Sequence, residues 1–264
     1  MQFDFGCSYG TLNTIRSALS LILSNIDGFS VGAHPSVSRL LRGAGKVNPP
    51  KPKYDQTWDV NCVIEYIKTL WPLTELTLDS LTHRCVSLFS LATAWRCQSI
   101  SLIRLENIIF SPGLDKVTIK LCDQTKTYTP GKAEPIVEIP LFQSHPKCCV
   151  LLTLKMYIEK TAAFRSANCE FLFISLRKPY KSVSSETISR WLKHVLDRSG
   201  IDISKFSSHS YRHAATSAAY RNGITVDDIR KHVGWSKGSE TFARFYNRPV
   251  THKSTFANVV LTGS

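Results

Sequence analysis

Ser207-Ser208-His209-Ser210-Tyr211-Arg212-His213 is the densest chemical text in the chain. Helical spacing resumes at Ser210, so the stretch reads as a loop entering a helix over 210–222. His209 and Arg212 stand three apart and share one face of that first turn. The pair suits phosphate, because a guanidinium offers a charged fork to two oxygens and an imidazole offers a donor or a proton. An H-x-x-R alone is weak, and a solvated helix start is the plainer reading of it. Its neighbours along the chain shift that balance.

Downstream, Trp235 follows Arg212 by twenty-three residues, within Val233-Gly234-Trp235-Ser236. Then comes Phe242-Ala243-Arg244-Phe245-Tyr246-Asn247-Arg248. Short helices are expected over 225–233 and 239–246. Upstream, 185–198 carries Ile188, Trp191, Leu192, Val195 and Leu196 on one helical face, with Gly200 as a stop. Another helix is expected over 149–163. Before it, Val117-Thr118-Ile119-Lys120-Leu121 alternates, a turn-rich run through Thr129-Pro130-Gly131 carries Lys126, and Ile136-Val137-Glu138-Ile139-Pro140 comes next. This reads as a β-hairpin or small antiparallel sheet.

The stretch 81–94 is apolar nearly all round, which predicts a buried central helix. It closes on Trp95-Arg96, and a cation ending a buried helix needs an anion or an exit to water. A helix over 59–70 precedes it. Asn48-Pro49-Pro50-Lys51-Pro52-Lys53 blocks helix continuation and marks a linker. Two helices before it, 12–25 and 36–42, make a thin core. They belong to a larger helical domain or pack on the residues beyond the linker. The predicted class is mainly α with a small antiparallel β-sheet (α+β).

Composition narrows the function. The 264 residues include 33 Lys and Arg against 20 Asp and Glu, a formal net charge of +13 and a sequence pI near 9.5. That excess favours a polyanionic partner, nucleic acid or an anionic membrane surface. No helix pairs a basic face with a broad aromatic one, which sets the membrane surface low. No stretch approaches the roughly 20 apolar residues that span a bilayer, and the first residues lack a signal-peptide layout. The eight cysteines form no C-x-x-C pair, so reduced thiols are expected, with no zinc site and no disulfide frame. There is no P-loop and no acidic cluster of the two-metal nuclease kind.

The order Arg96, Lys126 on a hairpin, His209-x-x-Arg212, Trp235 and Tyr246 resembles the tyrosine recombinase (phage integrase) family. The resemblance runs from about residue 54 to 248. The wording around Arg96-Cys97-Gln98-Ser99, Lys126…Pro130-Gly131 and Trp235-Ser236…Thr241-Phe242…Phe245-Tyr246 looks most like recombinases of eukaryotic mobile elements, the DIRS-like retroelements and Crypton-type transposons. It implies a catalytic domain over 54–264, a linker at 49–53, and over 1–48 the C-terminal part of a helical core-binding domain that clamps DNA.

The resemblance also implies roles. Tyr246 is the nucleophile that leaves a 3′-phosphotyrosine and a free 5′-hydroxyl. Arg96 and Arg212 clamp the non-bridging oxygens, Lys126 protonates the leaving oxygen, and His209 assists proton transfer at the nucleophile. Trp235 stands where other members have His, and its N–H can donate but not shuttle a proton. A tyrosine hydroxyl has a reference pKa of ~10, so it needs cations or a base to attack at neutral pH. Neither metal nor ATP nor any cofactor is required. Tyr211 and Tyr220 compete with Tyr246, and Lys120 and Lys132 with Lys126. Many members carry an acid where this chain has Ser99, and the eleven residues from Trp235 to Tyr246 exceed the usual nine or so.

For DNA, the basic residues Arg39, Arg42, Lys46, Lys51 and Lys53 lie in a stretch without an acid over 31–54. They read as phosphate contacts or as a solvated basic linker. On the 185–198 helix, Arg190 and Lys193 oppose the apolar face, and Arg190 is a candidate base contact. In the tail, Phe256, Val259, Val260 and Leu261 read as a helix docking into a neighbouring protomer or as a frayed end.

The leading expectation is a DNA strand-cutting and rejoining enzyme of a mobile element, a homo-tetramer on two double-stranded DNA sites. It would work in the nucleus if the host is eukaryotic and otherwise in the cytoplasm. The alternatives are a type IB topoisomerase-like relaxing enzyme and a catalytically silent, domesticated DNA-binding module.

Overall fold

The computed structural model describes residues 7–121, 136–235, 238 and 240–250. The expected roles of Lys126 and Lys132, and the tail over 256–261, lie outside them. The chain divides into two compact units, Met1–Lys53 and Tyr54–Ser264. No helix among the described residues is long and apolar enough to cross a membrane.

The first unit is a helical pair. Helix α1 (Tyr9–Ile22) starts earlier than its apolar periodicity suggests because the Ser8 side chain accepts from the Thr11 N–H. It ends at Leu23, whose backbone is extended. Asp27 and Gly28 take positive φ in a tight turn that bridges Ile26 to Phe29, so the helix does not reach residue 25. Helix α2 (Pro35–Val47) has proline in its first turn and runs five residues past the expected stop. Gly45, inside the added turn, admits the Tyr9 ring, 3.1 Å from where a Cβ would stand. The core is thin: Val31, Leu41 and Ala44 are buried, whereas Leu21, Ile22, Leu40 and Val47 are exposed. Arg39, Arg42, Lys46, Lys51 and Lys53 are all exposed.

The second unit is mostly helical with a small sheet. Helix α3 (Val60–Thr69) is capped by Asp59. Helix α4 (Leu78–Thr93) begins three residues before the apolar run, with the Thr77 side chain accepting from the Ser80 N–H. It is buried on nearly every side, and Arg84 on it is fully enclosed. Arg84 has no carboxylate partner among the described residues. It donates to the carbonyls of Ile67 (2.6 Å), Leu70 (3.0 Å) and Lys147 (2.7 Å) and to Thr153 Oγ1 (3.2 Å). Burial lowers its pKa to about 10, so it stays charged and ties three chain segments to α4.

A short helix α5 (Cys97–Ser101) comes next, then β1 (Ile108–Phe110), β2 (Lys116–Lys120) and β3 (Ile136–Pro140). The three strands form one antiparallel sheet in sequence order, with Ile108 opposite Ile119 and Val117 opposite Ile139. The expected hairpin is β2–β3. Strand β1 has only three residues and carries no alternation long enough to read. Helix α6 (Val150–Ala162) lies beside α4. Helix α7 (Ser185–Arg198) buries Ile188, Trp191, Leu192, Val195 and Leu196, the five residues its spacing predicts. Trp191 is therefore core.

Helices α8 (Ser210–Arg221) and α9 (Val226–Val233) complete the α-helices among the described residues. The last element among the described residues departs from expectation. A helix over 239–246 is predicted, but Phe242–Tyr246 forms a wider π-helical turn, closed by the Asn247 N–H on the Phe242 carbonyl at 2.8 Å. The chain then returns to the start of the unit, where the Thr57 N–H donates to the Pro249 carbonyl at 2.8 Å.

Candidate active site

Arg96 is positioned by how α4 stops. Ala94 takes the left-handed conformation at φ 51°, the Thr93 hydroxyl accepts from the Trp95 N–H, and Trp95 packs edge-on against Phe89. The chain turns sharply there, and Arg96 caps α5 from the wall of a cleft. That cleft has a volume of about 520 Å³. Arg96, Arg190, His209 and Arg212 line it, together with Gln98 and one acid, Glu186.

Arg212 is 3% exposed and also lacks a carboxylate partner among the described residues. Its Nη1 donates to the Ala94 carbonyl at 2.6 Å and its Nη2 to the Val233 carbonyl at 3.0 Å. Both carbonyls sit at helix C-termini, those of α4 and α9, where the backbone dipoles present partial negative charge. Two helix ends thus converge on one guanidinium. Its Nε is buried with no hydrogen-bond partner among the described residues. Burial, then the charge of Arg96, lowers its pKa to about 10, while Tyr246 acts in the opposite direction. It remains a cation at neutral pH, beside a second cation, which favours an incoming anion.

Tyr246 reaches this cluster from the π-helical turn. Its hydroxyl lies 3.2 Å from His209 Nε2. Its ring is 5.8 Å from the Arg212 guanidinium and 4.8 Å from Trp235. The Trp235 ring also stands 5.0 Å from that guanidinium, so Trp235 meets Arg212 through its π face. His209, Arg212, Trp235 and Tyr246 therefore meet in one cluster, and its members His209 and Arg212 line the cleft together with Arg96.

The competing tyrosines stand elsewhere. Tyr211 is buried, donates to Ser87 Oγ at 3.3 Å, and has its hydroxyl pKa raised by burial, so it is core. Tyr220 is exposed and meets Phe242 edge-on at 5.3 Å. Lys120 is exposed at the end of β2. Arg190 lines the cleft while its Nη2 donates to Thr187 Oγ1 at 3.0 Å; Lys193 is exposed and is not part of the cleft wall.

Sequence reasoning passed over His213 and Ser217. His213 is 3% exposed and stacks on the Tyr246 ring at 4.0 Å and 12°. Burial, then the charges of His209, Arg248 and Arg212, pushes its pKa down to about 3, so it is neutral at physiological pH. Ser217 donates to the Tyr246 carbonyl. The available signal was their spacing, four and eight residues after His209 on one helix.

The fold is similar to that of several solved recombinases, all at low identity. The XerH site-specific recombinase in a post-cleavage complex with palindromic difH substrate has a TM-score of 0.60 at 14% identity, covering 91% of this chain and 64% of XerH. The Tn1549 transposon integrase in complex with transposon right end DNA has a TM-score of 0.60 at 12% identity, covering 99% of this chain and 82% of that one. The XerA recombinase has a TM-score of 0.54 at 14% identity, covering 92% and 79%. The chain thus spans less than two thirds of the length of XerH. No curated protein matches it in sequence. The model of the phage integrase family matches residues 64–252, a span that holds Arg96, His209, Arg212, Trp235 and Tyr246, and the chain belongs to that family.

Proposed function

We propose that the protein is a site-specific DNA recombinase that cuts and rejoins strands through a 3′-phosphotyrosine. The observation that carries this reading is the Tyr246 hydroxyl, 3.2 Å from His209 Nε2 and beside the cation Arg212. A scissile phosphate enters the cleft between Arg96 and Arg212, which hold its non-bridging oxygens. Tyr246 Oη attacks phosphorus as His209 takes the hydroxyl proton, and the bond from phosphorus to the 5′-oxygen breaks. Lys126 gives its proton to that oxygen. A 5′-hydroxyl from the partner strand reverses the sequence and releases Tyr246. The charge that grows on the phosphate oxygens meets donors already in place, which is the larger part of such catalysis.

The wider reading rests on the family. The first unit acts as the end of a core-binding domain, and Arg39, Arg42, Lys46, Lys51 and Lys53 contact the DNA backbone. Arg190 contacts DNA from the cleft wall, and Lys193 further along α7. The protein works as a tetramer on two double-stranded DNA sites, in a eukaryotic mobile element and therefore in the nucleus. The test is incubation with supercoiled plasmid in EDTA without ATP, with denaturing gels for relaxation and covalent adduct, beside Tyr246→Phe. The reading predicts relaxation or adduct that vanishes in the variant. Activity lost only on adding EDTA, or an adduct that persists in Tyr246→Phe, contradicts it. Salt-dependent binding without either product leaves the silent DNA-binding module.

A further inference from the structure

We infer that His213 is a positioning residue for the nucleophile: the face of its ring holds Tyr246 flat against α8, and so sets the tyrosine beside His209 and Arg212. The inference deepens the proposed role of Tyr246 and rests on it for its catalytic consequence.

Three rings meet His213. Tyr246 lies parallel to it at 4.0 Å, while His209 at 5.3 Å and Tyr54 at 4.9 Å approach edge-on. The Tyr54 hydroxyl and Ser207 Oγ share a hydrogen bond of 2.7 Å, so that wall is tied to the loop that carries His209. His213 Nδ1 is buried with no hydrogen-bond partner among the described residues. The ring has a hydrogen bond with the Phe245 backbone, and a leucine would fill the same space but lose that bond. An imidazole supplies instead a flat face, on which an aromatic ring has a preferred offset-stacked position.

The stack also separates His213 from acid–base work. It presents a ring face to Tyr246, whereas the hydroxyl meets His209 Nε2. The backbone on either side of the tyrosine is held by the same stripe of α8. Ser217, one turn after His213, donates to the Tyr246 carbonyl and accepts from the Arg248 N–H at 3.3 Å. Arg221, a further turn on, donates to the Arg248 carbonyl at 3.1 Å. Residues 213, 217 and 221 thus grip ring and backbone of 246–248 from one helix face.

The test uses His213→Leu and His213→Phe in the full chain, with two readouts. The first is nitration of individual tyrosines by tetranitromethane without DNA, mapped by mass spectrometry. Tyr246 is 7% exposed, Tyr220 42% and Tyr211 2%, so Tyr220 marks free reactivity and Tyr211 marks an intact core. In His213→Leu, Tyr246 is expected to react up to about tenfold faster, the worth of one aromatic pair. In His213→Phe, wild-type protection returns. Equal protection in His213→Leu and wild type overturns the inference, as does lost protection in His213→Phe. If His213→Leu unfolds, Tyr211 reacts with it and the phenylalanine variant alone decides.

The second readout is adduct formation on plasmid at equal DNA binding. It is expected to slow in His213→Leu by a similar factor and to recover in His213→Phe. A wild type that nitrates as predicted but never forms an adduct sinks the recombinase reading and leaves the platform standing. A wild type that forms adduct no faster than His213→Leu sinks the platform alone.

Discussion

Arg212 shows how one side chain serves both fold and chemistry. Two of its N–H groups are committed to helix-terminal carbonyls, and the guanidinium still faces the cleft beside Arg96. A lysine keeps the charge but not the planar fork. Arg212→Lys is therefore expected to lower unfolding stability in urea by about 1–3 kcal/mol through the unmet carbonyl and to slow adduct formation by about 100-fold or more. Unchanged stability would mean that those carbonyls find other donors. The H-x-x-R spacing was legible in sequence because both residues lie on one helical turn. Its partners were not, since Ala94 and Val233 stand 118 and 21 residues away. Likewise, His213 looks in sequence like one more polar residue beside Arg212, and only the folded chain brings the Tyr246 ring to it.

At the scale of elements, α8 is the organiser. Its N-cap His209 and its residues 213, 217 and 221 hold the segment that ends the π-helical turn. Apolar spacing over 239–246 suggests an ordinary helix, but the tertiary grip on Tyr246 and Arg248 selects a wider turn. Such a preference lies in contacts between elements, so no local pattern reveals it. Ser217→Ala leaves the Tyr246 carbonyl and the Arg248 N–H without that hydroxyl. It is expected to speed hydrogen exchange over 242–248 several-fold, at a cost of about 1 kcal/mol, while α4 keeps its protection. Uniform exchange changes would argue for global loosening instead. Helix α4 itself depends on Arg84. Arg84→Met removes the donor to three carbonyls, of which the Ile67 carbonyl keeps the Leu70 N–H, and thermal unfolding should show a loss of at least about 2 kcal/mol.

For the whole molecule, the basic excess and the mainly helical class were readable from composition and periodicity, as was a sheet between α5 and α6. The chain ends of α1 and α2 were not, because a serine cap, an Asp-Gly turn and a tyrosine packed on glycine decide them. Two buried histidines give the stability a pH dependence. Burial lowers the pKa of both His83 and His213, so the unfolded chain binds more protons below about pH 6.5. Stability is then fully present above that pH and falls as pH drops from about 6.5 toward 3, at up to about 1.4 kcal/mol per pH unit for His213 alone. His213→Phe should flatten urea-unfolding stability over that interval, and an unchanged slope would contradict a neutral buried imidazole. If the exposed basic residues 39, 42, 46, 51 and 53 all meet phosphates, replacing the five by glutamine should reduce the salt slope of DNA binding by about 4.5.

The most direct test is the identity of the covalent link. Wild-type protein is trapped on nicked plasmid, the adduct is digested, and the nucleotide-bearing peptide is sequenced by mass spectrometry. The expected result is a 3′-phosphate ester on Tyr246, absent from Tyr246→Phe. A link on Tyr211 or Tyr220, or to a 5′-phosphate, would contradict the assignment of Tyr246 as the nucleophile.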